Sequence, residues 1–323
     1  MYYVYPIGDK KAGKILRREE VLDVLKQNPN GLRDMESVGN AVIGHKKYIK
    51  VPCRKCYACR LNYSAEWATR IELECQKSDF NWFITFTYDD NHLPSDGSLE
   101  PKHMKTFINS LRKCYEREPY LWKGIKYFYC GEYGPTTGRP HFHMILMNCP
   151  LDTNKFYGCH IDGNFKEHFK SRQLEKWWKY GFIDIAKEEW SNAAYVARYC
   201  MKKQLNKEYE AMGKYPERVW MSKGIGMDYY NDHKDQIYEN DEIIMKTVKG
   251  NNGSYRPPKA FDRKRSEEDP IGFEKLKKER IKKAEKNEKL KRTLHTYTDF
   301  QQLIQQAEKV TMKQMLLPRD ALD

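Results

Sequence analysis

The densest chemistry in this 323-residue sequence lies in His141-Phe142-His143, two imidazoles one residue apart. Side chains alternate along a strand, so His141 and His143 would share one face while Phe142, Met144 and Leu146 take the other. Two imidazoles one pleat repeat apart can hold one ion. The strand-like runs 125–132 and 141–147 flank residues 133–140, whose Gly and Pro content suits a hairpin loop. Symmetric pairing about that loop sets Glu132 opposite His141 on the same face and adds a carboxylate. Such a set with vacant positions suits Mg²⁺ or Mn²⁺, and would also accept zinc or non-haem iron. A one-residue slip would turn Glu132 away, and histidines also alternate on strands that bind nothing.

The second informative stretch is Tyr195-Val-Ala-Arg-Tyr199-Cys-Met-Lys202-Lys203. Residues 191–205 read as a helix capped by Ser191, on which Tyr195, Tyr199 and Lys202 lie along one stripe. A phenol has a reference pKa near 10, so as a nucleophile it needs a cationic or metal environment and a proton acceptor. An ammonium beside a phosphate could offset charge on five-coordinate phosphorus or help the leaving oxygen. The competing reading is an amphipathic helix with aromatic core contacts and basic solvent contacts.

These groups need a scaffold to position them. Residues 62–75 place Trp67, Ile71 and Cys75 at i, i+4 and i+8, a helix started by Asn62 or Ser64. Residues 82–88 alternate Ile84, Phe86 and Tyr88 with Thr85 and Thr87, which predicts a strand. Pro101 opens a helix with Met104, Phe107, Ile108 and Leu111 in register. A short helix at 174–179 and a strand at 182–186 follow. This order predicts an α+β fold, an antiparallel sheet flanked by helices. Before it, 19–27 is helical in pattern. After it, 208–260 reads as loop-rich from Gly224, Gly226, Gly250, Gly253, Pro257 and Pro258, and 274–292 as a solvated helix or a disordered basic tail. Three regions result: 1–60 with the Cys cluster, 61–240 as the main domain, and 241–323 as the loop-rich and basic tail.

The chain carries 58 Lys and Arg against 45 Asp and Glu, a net +13 that calls for an anionic partner. Ten Lys or Arg against four Glu in 274–292 supply +6 of it, as a solvated face or as sequence-independent DNA affinity. The sequence predicts neither a membrane span nor a signal peptide. Nine cysteines, with Cys53, Cys56 and Cys59 closely spaced, fit a reducing cytoplasm better than a secreted disulfide framework. That trio could bind a structural Zn²⁺, with Cys75 or His45 completing the shell, or stay as reduced thiols. Tyr63 stands where an iron–sulfur run would want cysteine. Aromatic and basic residues interleave in 209–230, including Tyr215, Arg218, Trp220, Lys223 and Tyr229, and could stack on unpaired bases or pack in a core.

Phe83-Ile-Thr-Phe-Thr-Tyr88, Gly138-Arg-Pro-His-Phe-His-Met-Ile145 and Tyr195-Val-Ala-Arg-Tyr-Cys-Met-Lys202 resemble the three ordered motifs of HUH rolling-circle replication initiators. Pro52-Cys-Arg-Lys-Cys-Tyr-Ala-Cys-Arg60, Cys130-Gly-Glu-Tyr-Gly134 and Met221-Ser-Lys-Gly-Ile-Gly226 narrow the resemblance to the VP4-type initiators of gokushoviruses, small single-stranded DNA phages of the Microviridae. It spans about residues 52–226 and leaves out the basic tail. Many relatives carry Lys between the two tyrosines where this chain has Arg198, which keeps the positive charge.

The resemblance implies an HUH endonuclease-like sheet in which His141, His143 and Glu132 hold Mg²⁺ or Mn²⁺ and Tyr195, Tyr199 and Lys202 are catalytic, with Arg139, Arg198 and Lys203 on DNA. One tyrosine would cut single-stranded DNA at a phage origin and stay joined to the 5′-phosphate, leaving a 3′-hydroxyl for a host polymerase. The second would cut the regenerated origin so that the strand closes. No G-x-x-x-x-G-K-[ST] run is present, so duplex opening would fall to a host helicase, in the host bacterial cytoplasm. The rivals are a plasmid relaxase or single-strand transposase with the same chemistry, a non-catalytic protein that coats or packages single-stranded DNA, and a zinc hydrolase using the two histidines.

Overall fold

The computed structural model describes residues 2–7, 13–37, 40–51, 57–116, 123–134, 136–163, 166–188, 193, 196–197, 206–246 and 251–294. They form two compact units, one from residues up to 59 and from 265 onward, the other from Arg60–Lys264.

In the first unit, β1 (Tyr2–Pro6), β2 (Lys14–Leu16), β3 (Asn40–Ile43) and β4 (Lys46–Lys50) make an antiparallel sheet in the order β2-β1-β4-β3. Helices α1 (Arg18–Lys26) and α2 (Pro29–Ser37) bring Val21, Leu25 and Met35 into one core with Val4, Ala41 and Tyr48.

The second unit is built on β5 (Trp82–Tyr88), β6 (Lys126–Tyr133), β7 (Pro140–Met147), β8 (Phe156–Ile161), β9 (Glu167–Ser171), β10 (Gly181–Lys187) and β11 (Arg218–Met221). Among the described residues these form a seven-stranded sheet, order β11-β6-β7-β5-β10-β9-β8, with every neighbouring pair antiparallel. Around it run α3 (Tyr57–Cys75), α4 (Pro101–Cys114), α5 (Arg172–Glu175), α6 (Asn206–Ala211) and α7 (Met227–Asn240). Then come β12 (Ile243–Lys246), β13 (Asn252–Tyr255), α8 (Lys259–Glu268) and α9 (Pro270–Leu294).

Period-two alternation gives the sheet two apolar faces. On one face Phe86, Tyr88, Phe142, Met144 and Leu146 pack under Met104, Phe107 and Leu111 of α4. On the other, Phe128, Cys130, Ile145 and Met147 pack under Trp67, Ala68 and Ile71 of α3 and against Ala193, Val196 and Ala197. Phe142 is fully buried between the two histidines in sequence, on the face opposite theirs. Phe142→Ala is therefore expected to cost about 3–5 kcal/mol, read as a lower urea midpoint with an unchanged slope.

Several expectations change against this architecture. Helix α3 starts at Tyr57, and Ser64 is buried inside it rather than capping it. The apolar spacing locates the helix, but the presence of a residue able to cap does not by itself fix where a helix begins. The short helix is α5, capped by Ser171, whose hydroxyl accepts from the Leu174 N–H. The 208–260 stretch is not loop-rich: it carries β11, α7 and the β12–β13 hairpin, and Tyr230, Ile237, Ile243 and Met245 form a core with Leu73 and Phe261. Its glycines punctuate rather than unfold, since Gly224 and Gly226 take φ of 77° and 78° where α7 begins. The β8–β9 hairpin has no counterpart in the sequence reading. Of the helix placed at 191–205, residues 193, 196 and 197 are helical and the rest, including Ser191, lies outside the described residues. Through Leu294 the basic stretch is the helix α9, with Ile281 and Leu290 exposed. Among the described residues, no helix is long and apolar enough to cross a membrane.

Candidate metal centre

The β6–β7 ladder pairs Glu132 with His141 and Cys130 with His143, the register that places all three polar side chains on one face. His141 Nε2 lies 3.0 Å and His143 Nε2 2.9 Å from the same oxygen, Glu132 Oε1. Glu132 and His143 are buried and His141 is half-buried, so the cluster opens to solvent on the His141 side. The imidazoles stand edge to face with centroids 4.9 Å apart, and Phe83 of β5 stacks on His143 at 5.4 Å.

Each imidazole is oriented from behind. His141 Nδ1 donates to the Arg139 carbonyl at 3.1 Å, and His143 Nδ1 meets Thr85 Oγ1 at 3.0 Å. A carbonyl can only accept, so in neutral His141 the proton sits on Nδ1 and Nε2 carries a lone pair. That lone pair cannot donate to a carboxylate 3.0 Å away. A cation must sit between them, either a second proton or a metal ion. Spacings of 2.9 and 3.0 Å also match the edge of an octahedron whose ion–ligand bonds are about 2.1 Å. Nδ1 anchored to a carbonyl or hydroxyl, with Nε2 turned to the shared carboxylate oxygen, is the arrangement that metal-bound histidines require. The donor set thus fits one divalent ion held by Glu132, His141 and His143.

Arg139 does more structural work than its motif suggests. Its guanidinium donates twice to the Tyr88 carbonyl, at 2.9 and 3.1 Å, and pairs with Asp90 at 2.7 Å. It thereby ties the β6–β7 loop to the end of β5 and fixes the carbonyl that orients His141. Tyr195, Arg198, Tyr199, Lys202 and Lys203 lie outside the described residues, as do Cys53 and Cys56. Ala193, Val196 and Ala197, which flank or separate the two tyrosines in sequence, are buried against Ile145 and Met147, two strand positions on the histidine face. Cys59 lies in the first turn of α3. Cys75 is sixteen residues further along that helix, about 24 Å at 1.5 Å per residue, so it cannot complete a shell with Cys59. Burial also pushes its thiol well above the usual range, with help from Glu188, Glu72 and Glu74.

The aromatics of 209–230 turn inward. Tyr129 stacks on Trp220 at 5.0 Å, Tyr215 lies against Trp220, and Tyr133 meets Tyr209 at 4.4 Å, all against the core under α4. Core packing accounts for Tyr209, Tyr215 and Trp220 without bases.

Sequence reasoning misses Thr85 and Phe83 as parts of the site. Their Thr/aromatic alternation is visible, but their place beside His143 depends on the long-range β5–β7 pairing, which sets Thr85 opposite His143. Thr85→Val removes the partner of Nδ1 at similar volume. It is expected to weaken Mn²⁺ binding about 10–100-fold while leaving the unfolding midpoint within a few degrees, by metal titration and thermal melts.

Known proteins resemble the chain over the same strands. The family model of the replication-associated ORF2 proteins matches residues 81–204. The chain is 37% identical to "Replication-associated protein ORF2" of Spiroplasma virus 4, over 79% of this chain and 82% of that protein. It is 31% identical to "Replication-associated protein VP4" of Bdellovibrio phage phiMH2K, over 68% and 70% of the two chains. With "Replication-associated protein ORF4" of Chlamydia phage 1 it shares 29% identity over 60% of this chain and 49% of that one. No solved structure matches.

Proposed function

We propose a function on the ground that the chain belongs to the replication-associated protein family of the Microviridae, together with VP4-type members. Its role is in starting phage rolling-circle DNA replication. The reaction would be nicking and rejoining of single-stranded origin DNA by HUH chemistry. The observation that carries this reading is the convergence of both Nε2 atoms on one Glu132 oxygen, on the sheet face against which Val196 and Ala197 pack.

His141, His143 and Glu132 would hold Mg²⁺ or Mn²⁺, and the solvent-facing side at His141 leaves room for phosphate oxygens. A bound ion supplies Lewis-acid polarisation of the scissile phosphate. Tyr195 or Tyr199 supplies the nucleophile. Its phenolic oxygen bonds to phosphorus, the bond from phosphorus to the 3′ oxygen breaks, and that oxygen leaves as a 3′-hydroxyl while the phenol proton passes to solvent. Lys202 would offset charge at phosphorus, and Arg139, Arg198 and Lys203 would hold the DNA backbone. Because the phosphotyrosine keeps the ester's energy, the second tyrosine can cut again and the freed 3′-hydroxyl can close the circle without a nucleotide cofactor. A host polymerase would extend the 3′-hydroxyl, and a host helicase would open the duplex. Cys53, Cys56 and Cys59 remain a candidate structural Zn²⁺ set whose fourth ligand is not Cys75.

The test is to incubate the full chain with an end-labelled single-stranded origin fragment, with Mn²⁺ or with chelator. A protein-linked 5′ fragment and a free 3′-hydroxyl fragment are expected only with Mn²⁺. DNA binding without any covalent product would favour the coating protein instead, and cleavage to free 5′-phosphate ends would favour the zinc hydrolase.

A further inference from the structure

We propose that the chain has a second divalent-metal site, formed by His160 of β8, His168 of β9 and Asp184 of β10, towards the β8 edge of the large sheet. One ligand atom from each lies within 4.8 Å of the others. His168 Nδ1 is hydrogen-bonded to Asp184 Oδ2, and His160 Nε2 is 3.8 Å from Asp184 Oδ1. The two imidazole rings face each other with centroids 5.1 Å apart. His168 Nε2 is buried with no hydrogen-bond partner, while Asp162 Oδ2 stands 3.5 Å from it. A buried ring nitrogen without a hydrogen bond, set between two carboxylates, is what a cation would satisfy.

The backbone is shaped to make this cluster. Between the pairs Tyr157↔Lys170 and His160↔His168 the β8 strand holds two residues where β9 holds one, a bulge with Gly158 at φ 63°. Without the extra residue Cys159 would oppose His168, and His160 would turn to the other face. Bulges re-aim side chains at sheet edges, and here the bulge sets imidazole against imidazole. The cluster shares a face with the first centre, since Asp184 pairs with Thr85 and Thr85 with His143. Two strand spacings separate Asp184 from His143, about 10 Å. That is too far for two ions to clamp one phosphate, which needs about 3.5–4 Å. The second ion would instead pin the β8–β9 hairpin to β10. Two imidazoles favour a transition ion such as Zn²⁺ over Mg²⁺ or Ca²⁺.

The test uses the full chain stripped of metal, in a background carrying His141→Ala with Cys53→Ser, Cys56→Ser and Cys59→Ser, so that no other candidate ligand set contributes. Titration with Zn²⁺ by calorimetry and with Co²⁺ by visible absorption is expected to give about one ion per chain, and none after His160→Ala or His168→Ala. No binding in the background, or binding that survives both substitutions, overturns the site. Should that background fail to fold, wild type and His160→Ala are compared directly by equilibrium dialysis, because the His160 side chain is 57% exposed and supports no core. One bound ion fewer in the variant supports the site, and equal numbers overturn it.

Discussion

Replacing both Tyr195 and Tyr199 by Phe is expected to abolish the covalent protein–DNA product, a loss of at least about a thousandfold in its rate of formation, which is over 4 kcal/mol of activation free energy. The size follows from the role. Removing the attacking oxygen removes the bond-forming atom, whereas removing a contact only raises the barrier. Phe keeps the ring, so packing beside the buried Val196 and Ala197 is preserved and unfolding should shift little. Each single variant should fail to yield closed circles, because closure needs a second cut by the other phenol. The measurement is a denaturing gel of labelled origin DNA, with circular product scored separately.

His143→Ala is expected to lower Mn²⁺-dependent nicking by about a thousandfold, since Lewis-acid stabilisation of several kcal/mol at about 1.4 kcal/mol per decade amounts to that. His143 also stacks on Phe83, so Ala combines loss of a ligand with loss of a ring contact. Glu132→Gln separates the two. It keeps volume and a carbonyl oxygen where both Nε2 atoms converge but removes the charge, and it should retain the unfolding midpoint while Mn²⁺ affinity falls. Isothermal titration with Mn²⁺ beside nicking rates distinguishes a metal defect from a folding defect. Normal activity in either variant would remove these residues from the centre.

The site's metal half was legible because it is local. Glu132 and His141 are joined by one hairpin whose Gly and Pro residues fix the loop, so counting outward from the turn reproduces the pairing of Glu132 with His141. Strand β5 and helix α4 were legible for the same reason, each showing its own period with Pro101 at the helix start. What escaped depends on distant pairing or on irregular backbone. Thr85 meets His143 only through the β5–β7 ladder. The β8–β9 hairpin contains a bulge and exposed polar residues, which break the period-two signal. The 208–260 stretch misled because its glycines sit at the ends of elements whose apolar residues, Tyr230, Ile237 and Ile243, are buried. The inward stacking of Tyr215 and Trp220 shows why interleaved aromatic and basic residues do not separate a base-stacking surface from a core edge.

Joint action of the imidazole pair and the phenols on one phosphodiester is best tested by trapping the covalent product of wild-type protein, origin DNA and Mn²⁺. Both polymers are then digested, and the nucleotide-bearing peptide is located by mass spectrometry. A 5′-phosphonucleotide is expected on Tyr195 or Tyr199, with no such peptide from His143→Ala. A nucleotide on any other residue, or an adduct that forms equally well without His143, would show that the two groups do not share a phosphate.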